Sequence, residues 1–451
     1  MKLAIVGGGA SAFYVASRLL SRLPKEAGVV HVYDRLWAPH GLVRYGVAPD
    51  HPEVKNCTHK FDEVAKDPRF RFFGNVNVHD NIPQKAFSQN IPLPLSSIYT
   101  HYSHVLFATG CPLPSFHPSL PQSESCIPAL NVVHWYTQHP ANQGPPPLET
   151  AKHVTLIGNG NVALDVARML LTSPDVLRKY DVPSTVIDTL ERSAVQHVSI
   201  AARRGPFDAA FTTKEIRELI KLPNASMKPI PEDWLVPAPG AKIDRAKGRI
   251  IDLLRKGSEQ RYGSTAKTWS LDFFRSPVSF EGGKLTLAHT TAISPSTRVV
   301  PTGETSTVDT DLVVTSIGFK GDPTSPFYDP ELGHMRTQAG RVQGAMENVY
   351  GSGWAAMGPK GVIVATMMDA YAVAETILGD REKSLTPLKS LGGDGTVDLG
   401  SVPGELVGNT GVLDYDDWKK IDAAEISRGE LVGKERERLT WGEVQALLGR
   451  H

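Results

Sequence analysis

With 451 residues the chain is too long for a single hydrophobic core, and roughly 100–200 residues per domain predicts two or three domains. Its apolar, charged, glycine and proline contents are those of an ordinary globular protein, which excludes disordered and fibrous classes. Lys plus Arg and Asp plus Glu number 48 each, so net charge gives no reason to expect nucleic acid or a membrane surface as partner.

In chain order, the first element is a short apolar strand, Lys2 to Val6, which leaves no room before it for a signal or transit peptide. The expectation is a cytosolic protein, or one whose leader has been removed. The strand runs into Gly7-Gly8-Gly9-Ala10-Ser11-Ala12 and a helix pattern through Arg22. Gly28 then precedes a second strand, Val29 to Tyr33, which ends on Asp34. A pyrophosphate sits best where free backbone N–H groups and the positive end of a helix dipole point at it. The backbone comes that close only where side chains are missing, hence Gly7 and Gly9, while Ala12 occupies the position that governs helix–strand packing. Asp34 is placed to accept hydrogen bonds from an adenosine ribose. A lone glycine fingerprint is weak, but here the flanking strand and helix, the terminal acid and the early placement all agree.

Further on, "HVLFATGC" (His104 to Cys111) reads as a buried strand ending in a small-residue turn, and Pro140 to Pro147 as an exposed loop. A second strand–turn–helix unit begins at His153, with the turn Gly158-Asn159-Gly160-Asn161-Val162-Ala163, a helix to about Leu171 and a strand near His197 to Ala201. No acid ends that strand; the sequence there is Arg203-Arg204-Gly205. An acid would repel a 2′-phosphate, whereas guanidinium forks pair with it, so NADP is expected over NAD. Arg-Arg alone would read as a solvated basic turn; its position after a dinucleotide turn makes the difference. "DLVVTSIGF" (Asp311 to Phe319) repeats the earlier strand-and-turn pattern, Leu391 to Gly404 reads as a loop, and "TWGEVQALLG" as a closing helix. Two such units predict an α/β chain with two Rossmann-like dinucleotide-binding domains.

The three cysteines, Cys57, Cys111 and Cys126, form no C-x-x-C pair. That excludes a sequence-adjacent redox disulfide, and with it the disulfide reductases, as well as an all-cysteine iron–sulfur cluster. They read as reduced thiols of a cytosolic or matrix protein. No apolar run reaches the roughly 20 residues needed to span a bilayer.

Four longer stretches, "GLVRYGVAPDHPEVKN" (Gly41 to Asn56), "GNGNVALDVARML" (Gly158 to Leu170), "RRGPFDAAFTTKEIREL" (Arg203 to Leu219) and "GWAAMGPKGVI" (Gly353 to Ile363), resemble the adrenodoxin reductase family. These are NADPH–ferredoxin reductases of the glutathione-reductase-like class, and the chain looks like a fungal-type or otherwise divergent member. The resemblance runs through "DWKKIDAAEISRGELVGKERERL" near the end. It implies an FAD domain built from residues 1–111 and 333–451, the latter with a C-terminal extension, and an NADP domain at 112–332. It also implies noncovalent FAD that takes hydride from NADPH and passes single electrons to an acidic, transiently bound [2Fe–2S] ferredoxin, serving a P450 or iron–sulfur chemistry, in a monomer of the mitochondrial matrix; no metal is expected.

Carried over by motif, Gly7, Gly9, Ala12 and Asp34 would hold the FAD adenosine and pyrophosphate, and Leu42 to Val47 would line the flavin. Trp354, Gly361, Val362 and Ile363 would meet the isoalloxazine, whose reduced anion backbone N–H groups would stabilise. In the NADP domain, Gly158, Asn159, Asn161 and Val162 would meet the pyrophosphate, Arg203 and Arg204 the 2′-phosphate, and Glu215 a polar group of the cofactor. His51 and Asp165 resemble a relay pair near the flavin, although His51 alone would read as an ordinary loop histidine. Arg217, Arg245 and Arg249 match partner-docking arginines; the last two are four apart, on one face if that segment is helical.

Three departures stand out. The family usually writes G-W-x-K-R-G-P-T-G, whereas this chain has Ala356 and Met357 for the basic pair and Lys360 for the threonine. The first turn reads "GGGASAF" where "GSGPAGF" is common. Trp37-Ala38-Pro39-His40 replaces a usual proline–phenylalanine. Such changes bear on flavin tuning, nicotinamide access or ferredoxin docking. Two other readings therefore stay open: a family member acting directly on a small molecule in a specialised pathway, and a non-catalytic FAD-stabilised partner protein.

Overall fold

The computed structural model describes residues 1–79, 89–237, 242–293, 298–382 and 398–450. Strand Lys2–Val6 is buried along its whole length and lies between two parallel neighbours, Val29–Tyr33 and His104–Phe107. Strands buried on both faces are what a parallel sheet covered by helices requires, which is why these runs read as continuously apolar. The full order is Thr337–Gln338, Arg341–Val342, Val349–Gly351, His104–Phe107, Lys2–Val6, Val29–Tyr33, Phe70–Phe73. Chain connectivity changes direction beside Lys2–Val6, so the crevice at its carboxyl end is a topological switch point, the place where doubly wound sheets take ligands.

One face of this sheet is covered by helix Ala10–Arg22 packed against helix Ile363–Glu382, through Phe13, Val15, Ala370, Val373 and Ile377. The opposite face carries Phe73, Val105, Phe107, Met335 and Val349. The C-terminal segment adds helices Tyr415–Leu431 and Trp441–Leu448. Each opens on a capping box, Asp414 with Asp417 and Thr440 with Glu443, so both ends are set by local sequence.

A second sheet is parallel throughout, in the order Ala225–Met227, Lys267–Phe273, His197–Ala202, His153–Ile157, Leu312–Thr315, Cys126–Pro128. Helix Asn161–Leu171 covers it, and an antiparallel sheet of Arg275–Glu281, Lys284–Ala292 and Val299–Asp309 is attached.

The chain divides into two compact units: Met1–Leu113 with Gln138–Ala141 and Phe319–His451, and Pro114–Thr137 with Asn142–Gly318. The sequence reading put the breaks at 111/112 and 332/333. Residues 319–332 instead group with the first unit, where Phe319 stacks on Trp354 and the Gly321 N–H donates to the Gly333 carbonyl. Asn142 to Pro145 form an exposed, irregular stretch inside the expected loop, while residues 391–397 of the other expected loop lie outside the described residues. No helix among the described residues is long and apolar enough to cross a membrane.

Candidate functional site

The first glycine turn is fixed by main-chain contacts that leave no choice of residue at its head. Gly7 has φ +103°, and a Cβ there would lie 2.5 Å from the Ala108 carbonyl oxygen. The small-residue turn after His104–Phe107 is therefore the surface on which the glycine turn rests. At Gly9 the situation is reversed: a Cβ would meet nothing closer than Gly41 Cα at 4.0 Å, so the space above the start of helix Ala10–Arg22 is open. Ala12 is fully buried beneath it. That is a cradle which fits a pyrophosphate at a helix N-terminus.

Asp34 is buried, and its carboxylate already accepts from the Gly8 N–H (2.6 Å) and the Leu36 N–H (2.8 Å). It thus braces the turn itself, from the end of strand Val29–Tyr33. Burial pushes its pKa up to about 6 against those two donors. A carboxyl raised on folding favours the fold at low pH; here the contribution is complete below about pH 4 and lost as pH rises through about 6. Unfolding free energies from urea titrations between pH 4 and 7 should therefore fall more steeply for the wild type than for Asp34→Asn, by up to about 3 kcal/mol. Parallel curves would show that Asp34 does not titrate in this window.

The residues expected around the flavin are all in this first unit. Leu42 is 47% exposed and Val362 55%, two large apolar side chains left open to solvent in this unit. Ile363 opens the helix that ends at Glu382, whose first N–H groups have no acceptor within the helix. Gly361 precedes it with φ +80°. Trp354 is half-buried, stacked on Phe319 at 5.9 Å, and its carbonyl accepts from the Cys111 Sγ–H (3.2 Å). Val47 is half-buried and follows helix Leu42–Tyr45. His51 is buried at the start of the turn Pro52–Cys57.

In the second unit, Gly158 repeats Gly7. It has φ +112°, and a Cβ there would be driven into the Ser316 carbonyl oxygen, so the repeat at Asp311 to Phe319 supplies the same backing surface. No atom lies within 4 Å of a Cβ built on Gly160, an open space like that at Gly9. Two buried polar atoms here meet no acceptor among the described residues: Asn159 Nδ2 and Arg204 Nε. Orphaned donors at these positions fit an anionic nucleotide. Arg203 is exposed. Burial and the charge of Arg203 together hold His117 below its ordinary range. The Arg203 carbonyl accepts from Thr290 Oγ1 (2.7 Å) and the Arg204 carbonyl from the Phe274 N–H (3.4 Å), so main-chain bonds hold this turn.

Asn161 Oδ1 accepts from the Thr212 N–H (2.8 Å), clipping helix Thr213–Ile220 to the glycine turn; Val162 follows in the first helical turn. Glu215 lies in the first turn of Thr213–Ile220. Between it and Asp165 stands Arg168, a buried guanidinium that sequence reading passed over. It donates to Asp165 Oδ1 (2.8 Å) and Glu215 Oε2 (3.1 Å), with Glu218 at 3.6 Å. Burial drives the Asp165 carboxyl well above the ordinary carboxylate range; Arg168 opposes the shift and Glu215 adds to it. The sequence did carry half of this signal, an acid and a base three apart on one helix.

No family model matches the chain. NADPH:adrenodoxin oxidoreductase of Bos taurus mitochondria is 34% identical, over 97% of this chain and 90% of that protein. NADPH-ferredoxin reductase FprA of Mycobacterium tuberculosis is 33% identical, over 97% of this chain and 96% of its own length. The solved structure of FprA in complex with NADPH superposes with a TM-score of 0.86, covering 99% of both chains at 32% identity. The chain belongs to the NADPH:adrenodoxin oxidoreductase family. As a member it is a flavoprotein oxidoreductase of mixed α/β fold that uses FAD and NADPH. A probable member from Schizosaccharomyces pombe, also named mitochondrial, is 34% identical over 94% of this chain.

Against the family pattern, the altered turn is structurally quiet at one position and open at another. Ala356 is buried, close to where a methyl on Gly351 would lie, so the change from a basic residue falls on an inward-facing position. Met357 is half-buried, and Lys360 is exposed just before the helix Ile363–Glu382. His40, in place of the usual phenylalanine, sits in an aromatic cage with Phe13, Phe61, Tyr415 and Trp418. Burial lowers its pKa to about 3, so the ring is neutral and packs as an aromatic. The docking candidates Arg217, Arg245 and Arg249 are exposed and have no ion-pair partner among the described residues. Arg245–Lys256 is helical, so Arg245 and Arg249 share a face, and this helix packs against Thr213–Ile220, which carries Arg217.

Proposed function

We propose that the first unit holds FAD, that the inserted unit holds NADPH, and that the chain delivers electrons singly to a small acidic [2Fe–2S] ferredoxin. The observation that carries this is the pair of open glycine cradles, with unpartnered Asn159 Nδ2 and Arg204 Nε beside the second. When bound, the two nucleotides supply the chemistry, hydride transfer from nicotinamide to flavin followed by one-electron release. The chain's own residues bind and orient. Gly7, Gly9 and Ala12 admit the FAD pyrophosphate, Asp34 braces the turn, and Leu42, Val47, Trp354 and Gly361 to Ile363 enclose the flavin. Gly158, Asn159, Asn161 and Val162 take the NADP pyrophosphate, Arg203 and Arg204 its 2′-phosphate, and Glu215 a polar group of the same molecule. His51 and Asp165 are the proton-holding candidates. Proximity and orientation then account for much of the rate.

Arg217, Arg245 and Arg249 form the docking surface, which steers an acidic partner and weakens with salt, as a transient electron-transfer contact should. The protein acts as a monomer in the mitochondrial matrix, with the cytoplasm as the alternative location; the names of its animal and yeast relatives support the mitochondrion alone.

Ala356, Met357 and Lys360 favour one rival, a member that acts directly on a small molecule. Anaerobic titration separates the readings. Near-stoichiometric NADPH should bleach the flavin band, NADH should do so far less, and an acidic [2Fe–2S] ferredoxin should then reoxidise it. A flavin that neither nucleotide bleaches overturns the proposal; bleaching by NADPH with no transfer to any ferredoxin favours the rival.

A further inference from the structure

The geometry points to Arg168 as a positioning residue for NADPH, a buried guanidinium that sets Glu215 in place relative to the second glycine turn. The inference rests on the NADPH reading above. Arg168 extends from helix Asn161–Leu171 with its side chain 3% exposed, and its two terminal nitrogens are divided between Asp165 (2.8 Å) and Glu215 (3.1 Å). The helix bearing Glu215 is already clipped to the glycine turn at Asn161, and Thr212 Oγ1 caps the Glu215 N–H (3.5 Å). Arg168 is the second point of attachment, one residue type capable of holding two carboxylates in a fixed plane.

A purely structural ion pair would match one cation to one acid. Here one guanidinium meets Asp165, Glu215 and, more distantly, Glu218. Asp165 and Glu215 thus share a single buried cation rather than each having its own. The excess of carboxyl groups is carried on helices Asn161–Leu171 and Thr213–Ile220, which are joined at their starts by the Asn161–Thr212 bond at the second glycine turn. Moving Glu215 would therefore misplace the reacting end of NADPH while sparing the 2′-phosphate end, which Arg203 and Arg204 hold.

The test compares wild type, Arg168→Lys, Arg168→Met, Glu215→Gln and the Arg168→Met/Glu215→Gln pair, all as flavin-loaded protein. Stopped-flow bleaching by saturating NADPH is read beside the affinity for 2′,5′-ADP, which lacks the nicotinamide. Arg168→Met should slow bleaching by roughly 100-fold, the cost of a misplaced reactant. Its 2′,5′-ADP affinity should stay within about twofold of wild type. Arg168→Lys, which restores the charge without the fork, should recover part of the rate, and the double variant should be no slower than Glu215→Gln alone. Parallel loss of 2′,5′-ADP binding, or unchanged bleaching in both Arg168 variants, overturns the inference. If Arg168→Met does not fold, Arg168→Lys with Glu215→Gln completes the same cycle. Wild-type flavin that NADPH fails to bleach overturns the parent reading instead, and is seen before any variant is made.

Discussion

Glu425→Gln is expected to destabilise the first unit by about 3–5 kcal/mol and to release its flavin during gel filtration. Arg44 lies in the "GLVRYG" stretch and is 6% exposed; Glu425, on helix Tyr415–Leu431, is fully buried. They form a two-point pair, Nη1 to Oε2 at 3.0 Å and Nη2 to Oε1 at 2.7 Å. Glu425 also accepts from Arg436 (3.0 Å) and from the Leu439 N–H (3.0 Å), while Arg438 donates to the Arg44 carbonyl (2.9 Å). Trp418 and Tyr45 lie against the guanidinium at 4.8 and 5.1 Å. Removing the carboxylate charge takes from a buried cation its two-point partner, and the loop that cation anchors, Leu42 to Val47, is the one that would line the flavin. Arg436 keeps Asp422 as a partner at 2.6 Å, so the loss is borne by Arg44. Thermal melts and flavin content after gel filtration measure the effect. Removing both charges, as Arg44→Met with Glu425→Leu, should recover part of the stability, because apolar replacement avoids the stranded charge. A Glu425→Gln protein that keeps its flavin and melts with the wild type would show that the C-terminal segment does not anchor this loop.

That clamp marks where sequence reading stops. The two strand–turn–helix units were legible because their signals are local: apolar runs, glycine turns, and an acid or an arginine pair at a strand end. The small-residue stretches at His104 to Cys111 and Asp311 to Phe319 were legible as pattern. Their purpose emerges only when Gly7 is seen against Ala108 and Gly158 against Ser316. Arg44 and Glu425 are 381 positions apart, and no periodicity joins residues at that distance. Arg168 shows the intermediate case, with Asp165 visible three residues away on the same helix but Glu215 brought in by folding. His40 stands where the family has a phenylalanine, and burial makes it a neutral ring.

The departures at the flavin-proximal turn divide in the same way. Ala356 points inward and is accommodated by packing, so its loss of charge changes little that solvent or a partner meets. Lys360 stands exposed before the helix Ile363–Glu382, whose first N–H groups would face the flavin in the proposed site, and adds a cation where the family has a neutral hydroxyl. Reduced flavin carries negative charge, so the exchange leaves the electrostatics around it favourable while moving the cation along the turn.

Replacing both Arg203 and Arg204 by serine is expected to raise the dissociation constant for NADPH by about 10²–10⁴-fold and leave that for NADH nearly unchanged. Each charge-assisted contact to a phosphate contributes roughly 1.5–3 kcal/mol, and NADH has no 2′-phosphate for the pair to lose. The substitution is clean because the turn is held through backbone carbonyls, Arg203 to Thr290 and Arg204 to Phe274, neither of which depends on the arginine side chains. Arg204 should matter more of the two. Its Nε is buried without an acceptor, so a bound phosphate relieves a cost the free protein already carries, whereas exposed Arg203 exchanges one well-solvated state for another. Anaerobic titrations with both nucleotides at two ionic strengths measure this, and the wild-type preference should shrink with added salt, chiefly through Arg203. Equal weakening toward NADPH and NADH would instead mean that the pair supports the fold of the turn and that another group reads the 2′-phosphate.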